Sequence, residues 1–139
     1  MRELSPWARK SRGRDAHRAR YATYMASPAW FRRRDEWARE EAARLAPAPI
    51  RCRGGCGREW SPERDDLHHC DYDRLGDETH EDLWGMCRTC HTQLHDLLDS
   101  SKSWRKLPRR TANLHAIAIL QSRTTAAPVS RVAGLRDAL

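Results

Sequence analysis

Four of the five cysteines occur as two close pairs, a pattern that is typical of zinc ligands. Cys52 and Cys56 form a C-x3-C pair, and Cys87 and Cys90 form a C-x2-C pair about 30 residues later. Two such pairs can supply the four thiolates of a tetrahedral zinc ion. Because four thiolates leave no open coordination position, we expect this zinc to be structural. The fifth cysteine, Cys70, is expected to be a buried or idle thiol.

Two adjacent histidines lie between the cysteine pairs, and two more follow the second pair closely. His68 and His69 are adjacent, and His91 and His95 follow the second cysteine pair. If a helix begins near Arg88, the i,i+4 spacing places His91 and His95 on one face of it. Two imidazoles in this arrangement can hold one cation. The spacing therefore predicts a second metal site next to the zinc.

Three segments carry a resemblance to a known family: LHHCDYDRLG at 67–76, DL at 82–83 and CRTCHTQLH at 87–95. Over about residues 50–99 the chain resembles an HNH endonuclease, with weaker similarity at residues 24–30. The resemblance implies a ββα-metal core, in which two strands and a helix hold a divalent cation. The first strand would end at His69, the second would span residues 83–86, and the helix residues 88–98. The fold class expected is a small, zinc-stapled α+β domain with this core flanked by N- and C-terminal helices.

The resemblance also implies a role for each of these residues. His69 matches the general base, and His68, His91 and His95 match ligands of a catalytic Mg²⁺, Mn²⁺, Ni²⁺ or Zn²⁺. Asp82 stands where the family usually has asparagine, and we expect it to brace the loop and help orient His69. The reaction implied is hydrolysis of DNA phosphodiester bonds, by nicking or double-strand cleavage, that leaves 5′-phosphate and 3′-hydroxyl ends.

Charge is distributed unevenly along the 139 residues. The net charge of +7 divides into +6 for residues 1–45, −6 for residues 46–100 and +7 for residues 101–139. Arginine-rich flanks of this kind suit a polyanion such as DNA, although a solvated surface gives the same composition. We expect phosphate contacts from Arg32, Arg33, Arg34, Lys102, Arg105, Lys106, Arg109 and Arg110 on the flanks, and from Arg74 and Arg88 near the reaction site.

The remaining pattern divides the chain into four regions. Residues 1–13 are predicted to be a disordered basic tail, 14–49 a helical arm, 50–99 the nuclease core and 100–139 a basic helical arm or tail. Helices are predicted at 14–25, 28–45 and 111–121, the second capped by Ser27 and started by Pro28. With 39% hydrophobic residues the chain is too polar for a large core. We therefore expect a bound metal ion to contribute to the stability of the fold. No apolar run is long enough to span a membrane.

Two other functions are compatible with the sequence. One is a catalytically idle zinc module that binds nucleic acid, although such a module need not retain four histidines. The other is a nuclease specialised for RNA or branched DNA, because a metal and a base act on any phosphodiester. The expected partners are DNA and, for specificity, a second copy of the chain or another protein. We expect a cytoplasmic protein in a bacterial or phage-infected cell, with a role in a phage, a mobile element or defence.

Overall fold

The computed structural model describes the backbone of residues 6–126 and the side chains of residues 13–123. This part of the chain is a small α+β structure with one two-stranded antiparallel sheet. The elements in chain order are α1 (Pro6–Met25), α2 (Pro28–Leu45), β1 (Asp66–His69), a 3-10 helix (His80–Asp82), β2 (Leu83–Met86), α3 (Arg88–Asp99), α4 (Lys102–Lys106) and α5 (Arg109–Ala126). No helix among residues 6–126 is long and apolar enough to cross a bilayer.

The hairpin of β1 and β2 places the two adjacent histidines on opposite faces. His68 pairs with Trp84 across the strands, and His69 pairs with Leu83. Because successive side chains alternate across a strand, His68 lies on the side of α3, where it contacts His91. His69 lies on the other side, against Trp30 of α2. The first strand ends at His69 and the second spans residues 83–86, as the sequence predicts.

The hairpin separates two small hydrophobic cores. On the α2 side, the core contains Trp30, Trp37, Trp60, Leu67 and Leu83. On the opposite side, the cysteines pack with apolar residues from β2, α3 and α5, among them Met86, Leu94, Ala116 and Leu120. Neither core is large, which agrees with the polar composition of the chain.

The helices agree with the sequence pattern except in where some of them begin and end. The Ser27 hydroxyl accepts a hydrogen bond from the backbone N–H of Trp30, and Pro28 starts α2, as predicted. In contrast, α1 begins at Pro6 and includes residues that the sequence analysis places in a disordered tail. Helix α1 contains four alanines and five arginines, and both residue types favour helix even though arginine is charged. Helix α5 also extends beyond the predicted 111–121 at both ends, and residues 127–139 lie outside the described part.

Candidate functional site

The two cysteine pairs come together at the start of α3. The Sγ atoms of Cys52, Cys56, Cys87 and Cys90 all lie within 4.8 Å of one another. Cys87 is the N-cap of α3, and its Sγ accepts a hydrogen bond from the backbone N–H of Cys90. All four cysteines are free of disulfides. This cluster could hold a structural metal such as zinc, with all four positions filled by sulfur.

Burial makes the unliganded thiolates costly. It raises the pKa of Cys52 to about 11, although backbone N–H groups of Cys87 and Gly54 donate to its sulfur. Burial and the neighbouring Cys52 also raise the pKa of Cys90. These two thiols therefore resist ionisation, and a bound metal dication would stabilise them as thiolates.

Three histidines converge in a second cluster between β1 and α3. His68 Nδ1 lies 3.1 Å from His91 Nε2, and His95 Nε2 lies 3.0 Å from the same atom. One ring nitrogen from each residue is thus within reach of a single cation. Burial lowers the pKa of His68 well below its usual range, and burial with the neighbouring His91 lowers the pKa of His95. Neutral imidazoles are the form that binds metal.

Asp66 orients one of these rings. Its carboxylate lies 3.0 Å from His91 Nδ1, and a carboxylate can only accept there, so Nδ1 carries the proton. The lone pair of His91 is therefore on Nε2, which faces the cluster. A carboxylate behind a ligating imidazole is a common arrangement in metal sites. Asp66 precedes His68 by two residues on β1, so the period of a strand could have identified it.

His69 has a carboxylate partner of its own, which is Glu78. The Nε2 atom of His69 donates to Glu78 Oε1 at 3.0 Å, and both side chains are buried. Glu78 also accepts from the Tyr24 hydroxyl at 2.9 Å and from the backbone N–H of Gly76 at 3.1 Å. Burial raises the pKa of Glu78, but these hydrogen bonds outweigh it and the net pKa is lower than usual. Glu78 therefore stays ionised and holds the proton of His69 on Nε2.

The other nitrogen of His69 is unpartnered. Nδ1 is buried and has no hydrogen-bond partner in the described part of the chain. The ring is packed against Trp30, with 4.8 Å between ring centroids, and against the edge of Tyr21 from α1 at 5.8 Å. A neutral imidazole with one nitrogen donating to a carboxylate and the other free can accept a proton at the free nitrogen.

One pocket brings His69 and the three-histidine cluster together. It has a volume of about 190 Å³ and is lined by all four histidines. Its walls include Tyr21 and Met25 from α1, Trp30 and Arg34 from α2, and Tyr72 from the loop after β1. A possible base and a possible metal site therefore share one cavity.

Asp82 does not contribute to the orientation of His69 in the way that the sequence analysis expects. Its buried carboxylate accepts from Arg74 at 2.8 Å, from the backbone N–H of Thr79 at 3.0 Å and from Arg110. These contacts do brace the loop before β2, as expected. The ring of His69, however, is held by Glu78, which the sequence analysis did not single out because it lies in a loop without a local motif.

The basic residues expected to contact DNA fall into two groups. Five have partners inside the protein: Arg33 with Glu78 O, Arg34 with the carbonyls of Pro62 and Asp65, Arg74 with Asp82, Arg109 with His69 O, and Arg110 with Asp71 and Asp82. The other five are exposed: Arg32, Arg88, Lys102, Arg105 and Lys106. Within the exposed group, Arg88 has an internal ion pair, with its Nη2 4.0 Å from a carboxylate oxygen of Asp66. The other four have no ion pair in the described part of the chain, so they can take phosphates without breaking one: Arg32, Lys102, Arg105 and Lys106.

Cys70 is buried in the core beside α5, and burial raises the pKa of its thiol. Its sulfur is not part of the four-cysteine cluster, which agrees with the expected buried thiol.

Compared with known proteins, the chain matches no family model, no curated protein and no solved structure. The function must therefore be argued from the site itself.

Proposed function

We propose that this protein is a metal-dependent endonuclease of the HNH type that hydrolyses phosphodiester bonds in DNA. The observation that carries the proposal is the shared pocket. It holds a histidine with one unpartnered ring nitrogen next to three histidines that converge on one point. Hydrolysis of a phosphodiester needs an activated water and a Lewis acid close together, and this pocket offers a residue set for each.

His69 is the general base in this proposal. The carboxylate of Glu78 holds the proton on Nε2, so Nδ1 takes a proton from the attacking water. Glu78 also stabilises the imidazolium that forms, since it lies 3.0 Å from the ring and is ionised. Because Nδ1 is buried, we expect the half-buried Tyr21 side chain to move when water and substrate enter.

His68, His91 and His95 are the ligands of the catalytic cation. When bound, the cation supplies Lewis-acid chemistry, stabilising the phosphorane charge and the 3′-oxygen leaving group. Three protein ligands leave coordination positions open for substrate. Imidazole ligands suit Zn²⁺ and Ni²⁺ better than Mg²⁺, which prefers oxygen. Of the four ions expected from the resemblance, we therefore favour Zn²⁺ and Ni²⁺.

The hairpin and α3 form the ββα-metal core in this proposal, and the four cysteines hold its structural zinc. The exposed Arg32, Arg88 and Lys102 are among the phosphate contacts. They are needed because the segment that carries the site is acidic and repels DNA. Reduced thiols at the zinc site favour a cytoplasmic location.

The proposal is tested by incubating the full-length protein with supercoiled plasmid, single-stranded DNA and a structured RNA. Each substrate is tested with Mg²⁺, Mn²⁺, Ni²⁺ and Zn²⁺, and with a chelator. We expect metal-dependent nicking of the plasmid, with 5′-phosphate ends. His91→Ala should lose this activity, while His115→Ala, at an exposed histidine on α5, should keep it. Cleavage of RNA alone would replace DNA as the substrate, and binding without cleavage under any metal would indicate an idle zinc module.

A further inference from the structure

We infer that Asn113 of α5 is a positioning residue of the histidine cluster, which fixes the ring of His68 so that Nδ1 faces the cation. The inference deepens the proposed function, because it concerns the metal centre on which that function rests. It also assigns the C-terminal helix, expected from the sequence to be a DNA-binding arm, to the site itself. The contact that carries it joins His68 Nε2 and Asn113 Oδ1, which lie 2.6 Å apart.

The orientation of the Asn113 amide follows from its other contacts. Its Nδ2 atom lies 2.9 Å from the carbonyl of Arg109 and 3.3 Å from the carbonyl of Cys70. Both carbonyls can only accept hydrogen bonds, so the NH₂ group must face them. The amide oxygen therefore faces His68. Asn113 is completely buried, so solvent does not compete for these bonds.

The amide orientation decides which nitrogen of His68 carries the proton. Because the Asn113 oxygen can only accept, His68 Nε2 must donate, and Nδ1 is left with its lone pair. The Nδ1 atom of His68 lies 3.1 Å from His91 Nε2. His91 Nε2 is also unprotonated, because Asp66 accepts the proton of His91 Nδ1. Two facing lone pairs repel each other, and a cation between them removes the repulsion. With zinc–nitrogen bonds of about 2.0–2.1 Å in tetrahedral geometry, ligand nitrogens lie about 3.3–3.4 Å apart, within a few tenths of an ångström of the observed spacing.

A second contact from the same turn of α5 strengthens this assignment. Arg109 lies four residues before Asn113 and on the same helix face. Its Nη2 atom donates to the backbone carbonyl of His69 at 3.0 Å, and its guanidinium stacks on Tyr72 with 4.0 Å to the ring centroid. One turn of α5 thus holds both the side chain of His68 and the backbone of His69. The contacts fix the end of β1 where the two histidines diverge.

The first test measures binding of Co²⁺ to the full-length protein with its cysteine site already loaded with zinc. Asn113→Ala removes the acceptor and lets His68 adopt the other tautomer. We expect Co²⁺ affinity to fall by about 10–100-fold, as for other residues behind a metal ligand. Leu114→Ala is the control, because Leu114 is an exposed neighbour on the same helix. The zinc content should stay the same in both variants. Unchanged Co²⁺ affinity in folded Asn113→Ala would overturn the inference.

The second test needs no variant and therefore does not depend on whether Asn113→Ala folds. Long-range ¹H–¹⁵N NMR of the wild-type protein, with the histidine cluster free of metal, reports the tautomer of each ring. We expect the Nε2–H form for His68, and a Nδ1–H form would overturn the inference. Failure of the nuclease assays would leave both results standing, so the two proposals can fail separately. Wild-type protein that binds no Co²⁺ would refute the positioning role.

Discussion

Glu78 decides which ring nitrogen of His69 is free to accept a proton. Its carboxylate is held by the Tyr24 hydroxyl and the backbone of Gly76, so it cannot rotate away from the ring. The partner of a buried imidazole sets both its tautomer and its charge. Glu78 therefore controls both properties of the His69 ring. This role of Glu78 can be identified only from the folded structure, because Glu78 lies in a loop nine residues from His69.

Glu78→Gln should lower kcat at least 10-fold while KM and metal affinity change little. Glutamine is uncharged, so it cannot stabilise the imidazolium that forms when His69 takes the proton. Steady-state nicking kinetics with Ni²⁺ test this expectation. Glu81→Gln is the matched control, because Glu81 is an exposed glutamate three residues later, in the 3-10 helix. Equal kcat for Glu78→Gln and wild type would exclude Glu78 from the reaction.

Asp82 should matter for stability rather than for the chemical step. Burial raises its pKa, but the hydrogen bonds from Arg74 and Thr79 outweigh this and lower the pKa to about 2. A carboxyl group whose pKa is lower in the folded than in the unfolded state stabilises the protein at neutral pH. The gain is about 2–3 kcal/mol when the unfolded pKa is about 3.9.

Asp82→Asn should therefore reduce the free energy of unfolding at pH 7. The difference from wild type should persist down to about pH 5 and shrink as the pH falls through 4 toward 2, because the wild-type carboxylate is then protonated. Urea denaturation at pH 7, 5 and 3.5 measures it. A difference that does not change with pH would mean that the charge of Asp82 is not the source of the effect.

Local spacing explains why some site residues could be predicted and others could not. Both cysteine pairs, together with His91 and His95, lie within short segments whose spacing is itself the signal. Asp66 was not predicted, but the alternation of side chains along β1 could have identified it, because it lies two residues before His68. Asn113 and Glu78 reach their histidines across 45 and 9 residues, and such contacts depend on tertiary packing that no local pattern encodes.

At the scale of the elements, the cysteine cluster constrains the loop that leads into it. A Cβ atom on Gly54 would lie 2.6 Å from both Cβ and Sγ of Cys90, which is too close for the loop to accommodate. Only glycine leaves room for the sulfur of α3 at this point. The chain therefore has a glycine there because the side chain of Cys90 occupies the space that a Cβ atom would need.

Gly54→Ala should weaken zinc binding and lower the melting temperature, because the added methyl group displaces Cys90 from the cluster. Zinc content by mass spectrometry and thermal unfolding measure both effects. Gly13→Ala is the control, since its new methyl group meets nothing within 4 Å on α1. That control should stabilise the helix by about 0.5–1 kcal/mol. Full zinc content and unchanged stability in Gly54→Ala would show that the close approach of Gly54 to Cys90 does not constrain the cluster.

Sequence predicted the interior elements more accurately than the flanking helices. The cap of α2 and the start of α3 have specific local signals, which are Ser27-Pro28 and the cysteine pair. The hairpin was predicted from the resemblance to the HNH family. Helix α1 lacks such signals, since its high charge resembles a disordered tail although its residue types favour helix. Helix α5 was expected to contact DNA, but its buried face is occupied by the β1 residues that it holds.

Across the whole molecule, net charge alone does not show which basic residues are free to contact DNA. Arg109 stacks on Tyr72 and donates to His69 O, whereas Lys102, Arg105 and Lys106 are exposed on α4. Substituting the three α4 residues with glutamine should weaken DNA binding. It should also reduce the slope of log affinity against log salt by up to about 3. Fluorescence anisotropy at several salt concentrations measures this slope.

Arg109→Gln is the contrasting variant for that experiment. It should lower stability and nicking, because it releases the backbone of His69, while the salt dependence of binding changes by less than that of the α4 variant. If Arg109→Gln reduces the salt slope as much as the three α4 substitutions together, Arg109 contacts phosphate directly and its internal contacts are secondary.

In the proposed reaction, His69 takes the proton of the attacking water beside a cation held by His68, His91 and His95. The most direct measurement is the single-turnover rate of plasmid nicking by His69→Ala, in protein shown to bind one zinc at the cysteines and one Co²⁺ or Ni²⁺ at the histidines. We predict a rate at least 100-fold below wild type with metal occupancy unchanged. Nicking by His69→Ala at the wild-type rate would show that His69 is not the general base.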